Sequence, residues 1–229
     1  MLTKLIKELN TLKDSKKAEH AQRFFKTGKG EYGQGDIFIG IRVPVLRKTA
    51  GRYKTLLLKD VKKLLESKIH EHRFVALVIL IKKFSKQQEK IYDFYMDNLK
   101  HINNWDLVDI SAPKIAGKYL LDKDKSVLYD LARSENLWKK RIAIISTFEF
   151  IKNDRFRTAL EISEILSNDS HDLIHKAVGW MLREIGKRNL DAEEEFLKKH
   201  YKKMPRTMLR YAIEKFGENK RKAYLKGTI

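Results

Sequence analysis

The segment "LWKKRIAI", residues 137 to 144, sets the cation Arg141 immediately before an apolar run, and comparable segments recur along the chain. Laid over "HEHRFVAL" (70–77), "NNWDLVDI" (103–110), "LIHKAVGW" (173–180) and "RTMLRYAI" (206–213), it aligns Arg73, Asp109, Arg141, Lys176 and Arg210 at intervals of 36, 32, 35 and 34 residues. A period in the thirties holds two helices per interval and marks helical repeats of the HEAT or TPR kind. Elsewhere, apolar residues return at helical spacing, as in Leu5, Leu9 and Leu12, or Ile142, Ile145 and Phe148. The expectation is an all-α fold, a right-handed α-solenoid of tandem HEAT-like repeats whose second helices line a concave basic groove. A single domain is expected over 1–229, with N-terminal helices and a glycine-rich loop in 1–43 and repeats from about 44 to 229; a chain this long can bury a sizeable core.

Helix starts are predicted at the capping residues Asp60, Asn104, Asp122, Ser134, Asn153, Ser170 and Asn189. Pro44 and Pro205 suit first-turn positions. Between helices lies "TGKGEYGQGDIFIGIRVP", 27–44, a connection long enough to suggest function. Its Gly28, Gly30 and Gly33 match Gly-x-Gly-x-x-Gly, but the preceding "AQRFFK" reads as helix, whereas a dinucleotide fingerprint follows a strand. No nucleotide cofactor is inferred from that match.

Lys and Arg number 49 against 30 Asp and Glu, a formal net charge of +19 that points to a polyanionic partner. The longest apolar run, "FVALVILI" at 74–81, is too short to span a bilayer. No cysteine is present, which excludes disulfides, thiolate zinc sites and a cysteine nucleophile. With no signal-like segment after Met1, the expected location is cytoplasmic.

Four of the five aligned residues are cations. Singly, each is explained by solvation of a helix face; repeated in successive repeats, they fit a row of phosphates. All three tryptophans fall within a turn of an aligned residue: Trp105 four before Asp109, Trp138 three before Arg141, Trp180 four after Lys176. A single tryptophan is most simply core, but three beside the row suit aromatic walls against sugars or bases. Asp109 is the anion in the row, and Pro113, four residues on, should bend or end its helix. Asp106 reads as a cap or brace of that helix. A carboxylate repels phosphate, yet it stabilises the oxocarbenium-like sugar that forms when a base departs. At an effective dielectric near 20, two charges about 4 Å apart interact by roughly 4 kcal/mol, about a thousandfold in rate.

The segments "GDIFIGIRVPVLRK", "NNWDLVD", "LWKKRIAIISTFEFI", "HKAVGWMLREIGK" and "MPRTMLRYAIEKF" resemble, in order and spacing, the DNA alkylation repair proteins of the AlkD family over nearly the whole chain. The resemblance implies a monofunctional DNA glycosylase of base excision repair that releases cationic N3- and N7-alkylated purines from duplex DNA without extruding the base into a pocket. It implies Asp109 as the catalytic carboxylate, Trp105 and Trp180 against the deoxyribose, and Arg141 on the DNA. Some members carry a tyrosine where this chain has Phe24 or Phe25, which leaves a hydroxyl role there without a donor.

A non-catalytic HEAT-like scaffold for nucleic acid or protein is the alternative, distinguished by the joint presence of Trp105, Asp109, Arg141 and Trp180. RNA fits the charge, but no RNP-type aromatic motif occurs. "HDLIH", 171–175, has the two-histidine spacing of a zinc helix, yet no third ligand is evident and Lys176 adjoins His175. The expected partner is therefore duplex DNA bearing alkylated purines, met by a monomer with no metal, cofactor or membrane.

Overall fold

The computed structural model describes all residues, 1–229, and consists of helices with a single isolated parallel bridge between Ile37 and Ile69. The chain forms two compact units, Met1–Ser111 and Ala112–Ile229, where the sequence reads as one continuous array.

Unit 1 contains α1 (Leu2–Thr11), α2 (Ser15–Phe24), α3 (Val43–Arg52), α4 (Leu58–Leu65), α5 (His70–Phe84), α6 (Gln88–Asp97) and α7 (Trp105–Ser111). Its centre is α5, where every residue from His70 to Leu80 is buried and against which α3, α4, α6 and α7 pack. The unbroken run "FVALVILI" is thus a helix apolar on all sides because it is covered on all sides. The long connection from 25 to 42 runs back across α2 and α5. Asp14 N–H donates to the Ile39 carbonyl at 3.0 Å, and Ile37 pairs with the chain entering α5 through Ile37 N to Lys68 O at 3.0 Å and His70 N to Ile37 O at 2.8 Å. Gly40 has φ 81°, and a Cβ there would lie 2.1 Å from the Asp14 carbonyl oxygen, so both conformation and space require glycine.

Unit 2 opens with a π turn, Pro113–Gly117, closed by Gly117 N to Ala112 O at 2.8 Å. Pro113 has no N–H to continue a regular helix, and α7 has already stopped at Ser111. Then follow α8 (Lys118–Leu120), α9 (Ser126–Ala132), α10 (Leu137–Ser146), α11 (Phe148–Lys152), α12 (Arg157–Ile165), α13 (Asp172–Gly186), α14 (Leu190–His200), α15 (Arg206–Ala212) and α16 (Glu218–Lys226). Helices pair as the period demands: α9 packs with α10, α12 and α14 with α13, and α15 with α13. Segments 70–77, 137–144, 173–180 and 206–213 lie at or near the starts of α5, α10, α13 and α15, and 103–110 carries the start of α7.

Capping follows the sequence reading at Asn104 and Asn189, whose side chains accept from Trp105 N and Ala192 N. At Ser134 and Ser170 a neighbour caps instead, since Asn136 accepts from the backbone of Trp138 and Lys139 and His171 from that of Leu173, while Asp60 lies within the first turn of α4 and neither Asp122 nor Asn153 caps a helix. Pro44 lies in the first turn of α3, while Pro205 is the residue just before α15.

Candidate active site

The N-terminal turn of α7 is held by a chain of polar contacts running to the first turn of α5. Buried Asn104 accepts from Trp105 N at 2.9 Å and donates its amide to Asp36 Oδ2 at 3.3 Å. Asp36 pairs with Arg73 at 2.6 Å and with His70 Nδ1 at 3.1 Å. The other ring nitrogen of His70 meets Asp106 Oδ2 at 2.8 Å, and Asp106 Oδ1 accepts from Leu107 N at 2.8 Å. Asp106 therefore braces the start of the helix.

A neutral imidazole donates through only one nitrogen, whereas His70 lies between two carboxylates that accept on both sides. Burial disfavours its charge, but Asp106 and then Asp36 outweigh that, so the His70 pKa is raised. Burial likewise acts against the Asp36 carboxylate, yet hydrogen bonding from His70 and the Arg73 charge bring its pKa below the usual range.

Aromatic packing fixes the same turn. The Trp105 indole stacks on Phe25 with centroids 5.0 Å apart and planes at 11°, and Phe24 approaches it edge-on at 5.9 Å. Phe25 stacks on Phe38 at 4.7 Å, and Phe38 on His70 at 4.3 Å. Phe24 and Phe25 thus support Trp105 as apolar walls, while Phe24 itself is 59 % exposed. One helical turn beyond Trp105, Asp109 is half-buried. Burial raises the Tyr95 pKa, opposed by its bond to Ser111, and the Asp109 charge adds to the rise.

Within unit 2, Trp180 is half-buried on α13, donating to Glu184 at 3.1 Å with its ring 5.8 Å from Phe148. Trp138 is buried and belongs to the core. Of the four expected phosphate contacts, Arg73 and Arg141 are only 4 % and 5 % exposed. Arg73 is held by Asp36 and the Ser67 carbonyl, and Arg141 donates to the Leu173 carbonyl at 2.6 Å. As placed, both brace helix starts. Lys176 pairs with Asp172 at 2.6 Å and keeps a partly exposed side chain, and Arg210 is exposed. The "HDLIH" histidines have structural partners: His171 caps α13, and His175 contacts the Asp169 carbonyl.

The sequence pattern of the DNA alkylation repair enzyme family matches residues 5–216. The chain belongs to that family. Among the solved structures that share its fold are two from streptococcal and enterococcal species. One, titled a "predicted DNA alkylation repair enzyme from Enterococcus faecalis", superposes with a TM-score of 0.71 at 17% identity, covering 90% of this chain and 97% of that one. The crystal structure of AlkD2 from Streptococcus mutans superposes with a TM-score of 0.56 at 18% identity, covering 89% and 99%. Neighbours of this type are helical-repeat solenoids, in agreement with the all-α helical-repeat class read from the period. No curated protein sequence matches the chain significantly. Membership places the family member in DNA alkylation repair. No helix is long and apolar enough to cross a membrane.

Missing from the sequence reading were Asp36 and His70 as parts of the frame of α7, and the bond that ties the expected cap Asn104 to Asp36. The signal available was the length of the glycine-rich connection that carries Asp36 into the core.

Proposed function

We propose that this family member is a DNA glycosylase that hydrolyses the N-glycosidic bond of cationic N3- and N7-alkylated purines in duplex DNA, acting without a base-flipping pocket. The observation that carries the reading is the construction of α7: a half-buried carboxylate, Asp109, one turn from an indole locked by ring stacking and a buried ion network. Rigid placement of this kind suits stabilisation of charge that develops only in the transition state, because no reorganisation is then needed. As the glycosidic bond breaks, its electron pair leaves with the cationic purine, which becomes neutral, and the deoxyribose takes on oxocarbenium character. Asp109 faces that charge and orients the water that adds to the anomeric carbon, with its proton passing to solvent or to the carboxylate.

Trp105, and Trp180 from unit 2, are assigned to the sugar and backbone, where an indole offers a broad apolar face. Phosphate contact is assigned to Lys176 and Arg210, the two accessible members of the row, with Arg141 supporting the start of α13. No metal or cofactor is required by this chemistry, and a monomer suffices.

The test is release of free base from a duplex carrying 7-methylguanine, with Asp109→Asn in parallel. Wild type should release the base in the presence of a chelator, and the variant should fall by about 10²–10³-fold, the loss typical of removing one transition-state charge partner. Binding without release by wild type would leave the scaffold alternative, and full activity in the variant would remove Asp109 from the mechanism.

A further inference from the structure

Unit 1 contains a cavity of about 370 Å³ that the chemistry above does not use, since neither Trp105 nor Asp109 lines it. Its floor is apolar and largely aromatic, made by Phe25, Phe38, Phe74 and Leu46. Exposed cations, Lys16, Lys17 and Arg42, stand at its edge, and Asp106 and His70 form part of one wall. Lys17 is tied to Asp14, which leaves Lys16 and Arg42 as the cations most open to a ligand. The volume lies at the small end of ligand pockets, about 300–1,000 Å³, room for one nucleotide and too little for a duplex.

The lining discriminates between anionic ligands. An acyl chain needs only apolar walls, whereas here a carboxylate, Asp106, borders the apolar floor. Leu107 N and His70 each take one of its oxygens, and each oxygen retains a second lone pair. A base that offers adjacent N–H donors, as guanine does through N1 and its 2-amino group, matches a carboxylate in that position. The phosphate then falls to the cations at the edge, where a charge-assisted contact is strongest. Glu71 is the more heavily engaged acid, since its Oε1 accepts from the backbone of Ile39, Gly40 and Ile41 and its Oε2 from Ile39.

We infer that this cavity binds a single guanine nucleotide, with the base on the phenylalanine floor against Asp106 and the phosphate on Lys16 and Arg42. The nucleotide is either free or an unpaired residue of a DNA strand, and the chemistry recognised is the same. This site stands independently of the glycosylase reading.

Calorimetric titration of the full-length protein with guanosine 5′-monophosphate, guanosine, uridine 5′-monophosphate and decanoate tests it. Guanosine monophosphate should bind about tenfold or more tightly than guanosine or uridine monophosphate, and Lys16→Glu with Arg42→Glu should weaken it by a similar factor. Both are surface changes outside the α7 frame, so circular dichroism should remain that of wild type. Val43→Trp, at a 42 % exposed residue lining the cavity, should fill the space and abolish binding. A duplex with one unpaired guanine, compared with the fully paired duplex, separates the sources: a preference for the unpaired guanine that Val43→Trp removes assigns the site to DNA, and no preference assigns it to the free nucleotide. Absence of binding at millimolar guanosine monophosphate, tighter binding of decanoate, or indifference to Lys16→Glu and Arg42→Glu would overturn the inference.

Discussion

The two longest helices, α5 and α13, have fifteen residues each and open on segments the repeat places in register, yet they treat charge in opposite ways. At the start of α5, His70, Glu71, His72 and Arg73 are all 5 % exposed or less. Each has a protein partner: carboxylates for His70, backbone N–H groups for Glu71, Ser67 for His72, Asp36 for Arg73. At the start of α13, Asp172 and Lys176 form a partly exposed i,i+4 pair, and His171 caps the helix. Unit 1 therefore uses its ionisable residues to fix one geometry, whereas this stretch of unit 2 keeps its ion pair at the surface. Buried pairs are costly to break because the surviving partner is stranded in a low dielectric, while exposed pairs contribute little.

The sharpest way to break that contrast is Glu71→Ala. Its carboxylate accepts from Ile39 N at 3.0 Å, Gly40 N at 2.8 Å and Ile41 N at 3.3 Å, so truncation strands three buried donors at the point where the long connection meets α5. A loss of about 3–5 kcal/mol in unfolding free energy is expected, measured by denaturant titration. A loss below about 1 kcal/mol would mean that the connection does not depend on this clamp.

Unit 2 has one buried acid of its own, and it shows what happens without partners. Glu193 on α14 is 2 % exposed, its Oε1 has no hydrogen-bond partner, and burial, aided by Glu194 and opposed by Arg183, pushes its pKa up to about 8. Below about pH 4.5 both folded and unfolded chains hold the proton, and between there and pH 8 only the folded chain holds it. Stability therefore falls across that window and levels off above it. Glu193→Gln should remove the fall and leave the variant more stable than wild type above pH 8, by on the order of a few kcal/mol. Gly186 packs directly on this side chain, where a Cβ would lie 1.6 Å from Glu193 Oε2, so Gly186→Ala should destabilise wild type and be tolerated better when Glu193 is Ala. A pH profile unchanged by Glu193→Gln would remove this residue from the account.

His70 gives the partnered version of the same experiment. Its pKa is raised in the folded state, so its contribution is fully present below its ordinary value of 6.5 and is lost as pH rises through the raised value. His70→Gln should lower stability at pH 6 and erase that part of the slope, and the quenching of Trp105 fluorescence should change with it, because Phe38 links the imidazole to the Phe25–Trp105 stack. Loss of stability with an unchanged slope would show that the imidazole serves as a spacer and carries no charge.

Legibility from sequence followed the physics of each part. Repeats in the thirties were readable because every repeat must bury the same helix faces, and "LWKKRIAI", "LIHKAVGW" and "RTMLRYAI" fall at the starts of α10, α13 and α15 or within their first turns. Trp105 and Asp109 one turn apart on α7 were readable for the same reason. What could not be read was which charges would be buried. Arg73 and Arg141 occupy the same register as Lys176 and Arg210, but Asp36, 37 residues before Arg73, draws the first inward, and the Leu173 carbonyl, 32 residues beyond Arg141, holds the second. Those partners arrive through tertiary packing, which a periodic pattern does not encode. Caps were missed on similar grounds: Asn136 and Ser134 both favour a helix start, and only the folded turn, in which Ser134 Oγ accepts from Asn136 N, selects between them.

The smallest expected effect on stability bears most directly on function. Lys176→Ala removes one member of an exposed pair with Asp172 and should change unfolding free energy by no more than about 0.5 kcal/mol. Arg210→Ala, at an exposed position, should do the same. If these cations meet phosphates, however, each substitution should lower the slope of log affinity against log salt by about 1, for any duplex sequence, because one fewer counterion is released on binding. Buried Arg73 should show the reverse pattern, a large loss of stability when changed to Met, with an unchanged salt slope for whatever fraction stays folded. A salt slope unaffected by Lys176→Ala and Arg210→Ala together would place the DNA on another face, and the distinction between fixed charge in unit 1 and available charge in unit 2 would then say nothing about binding.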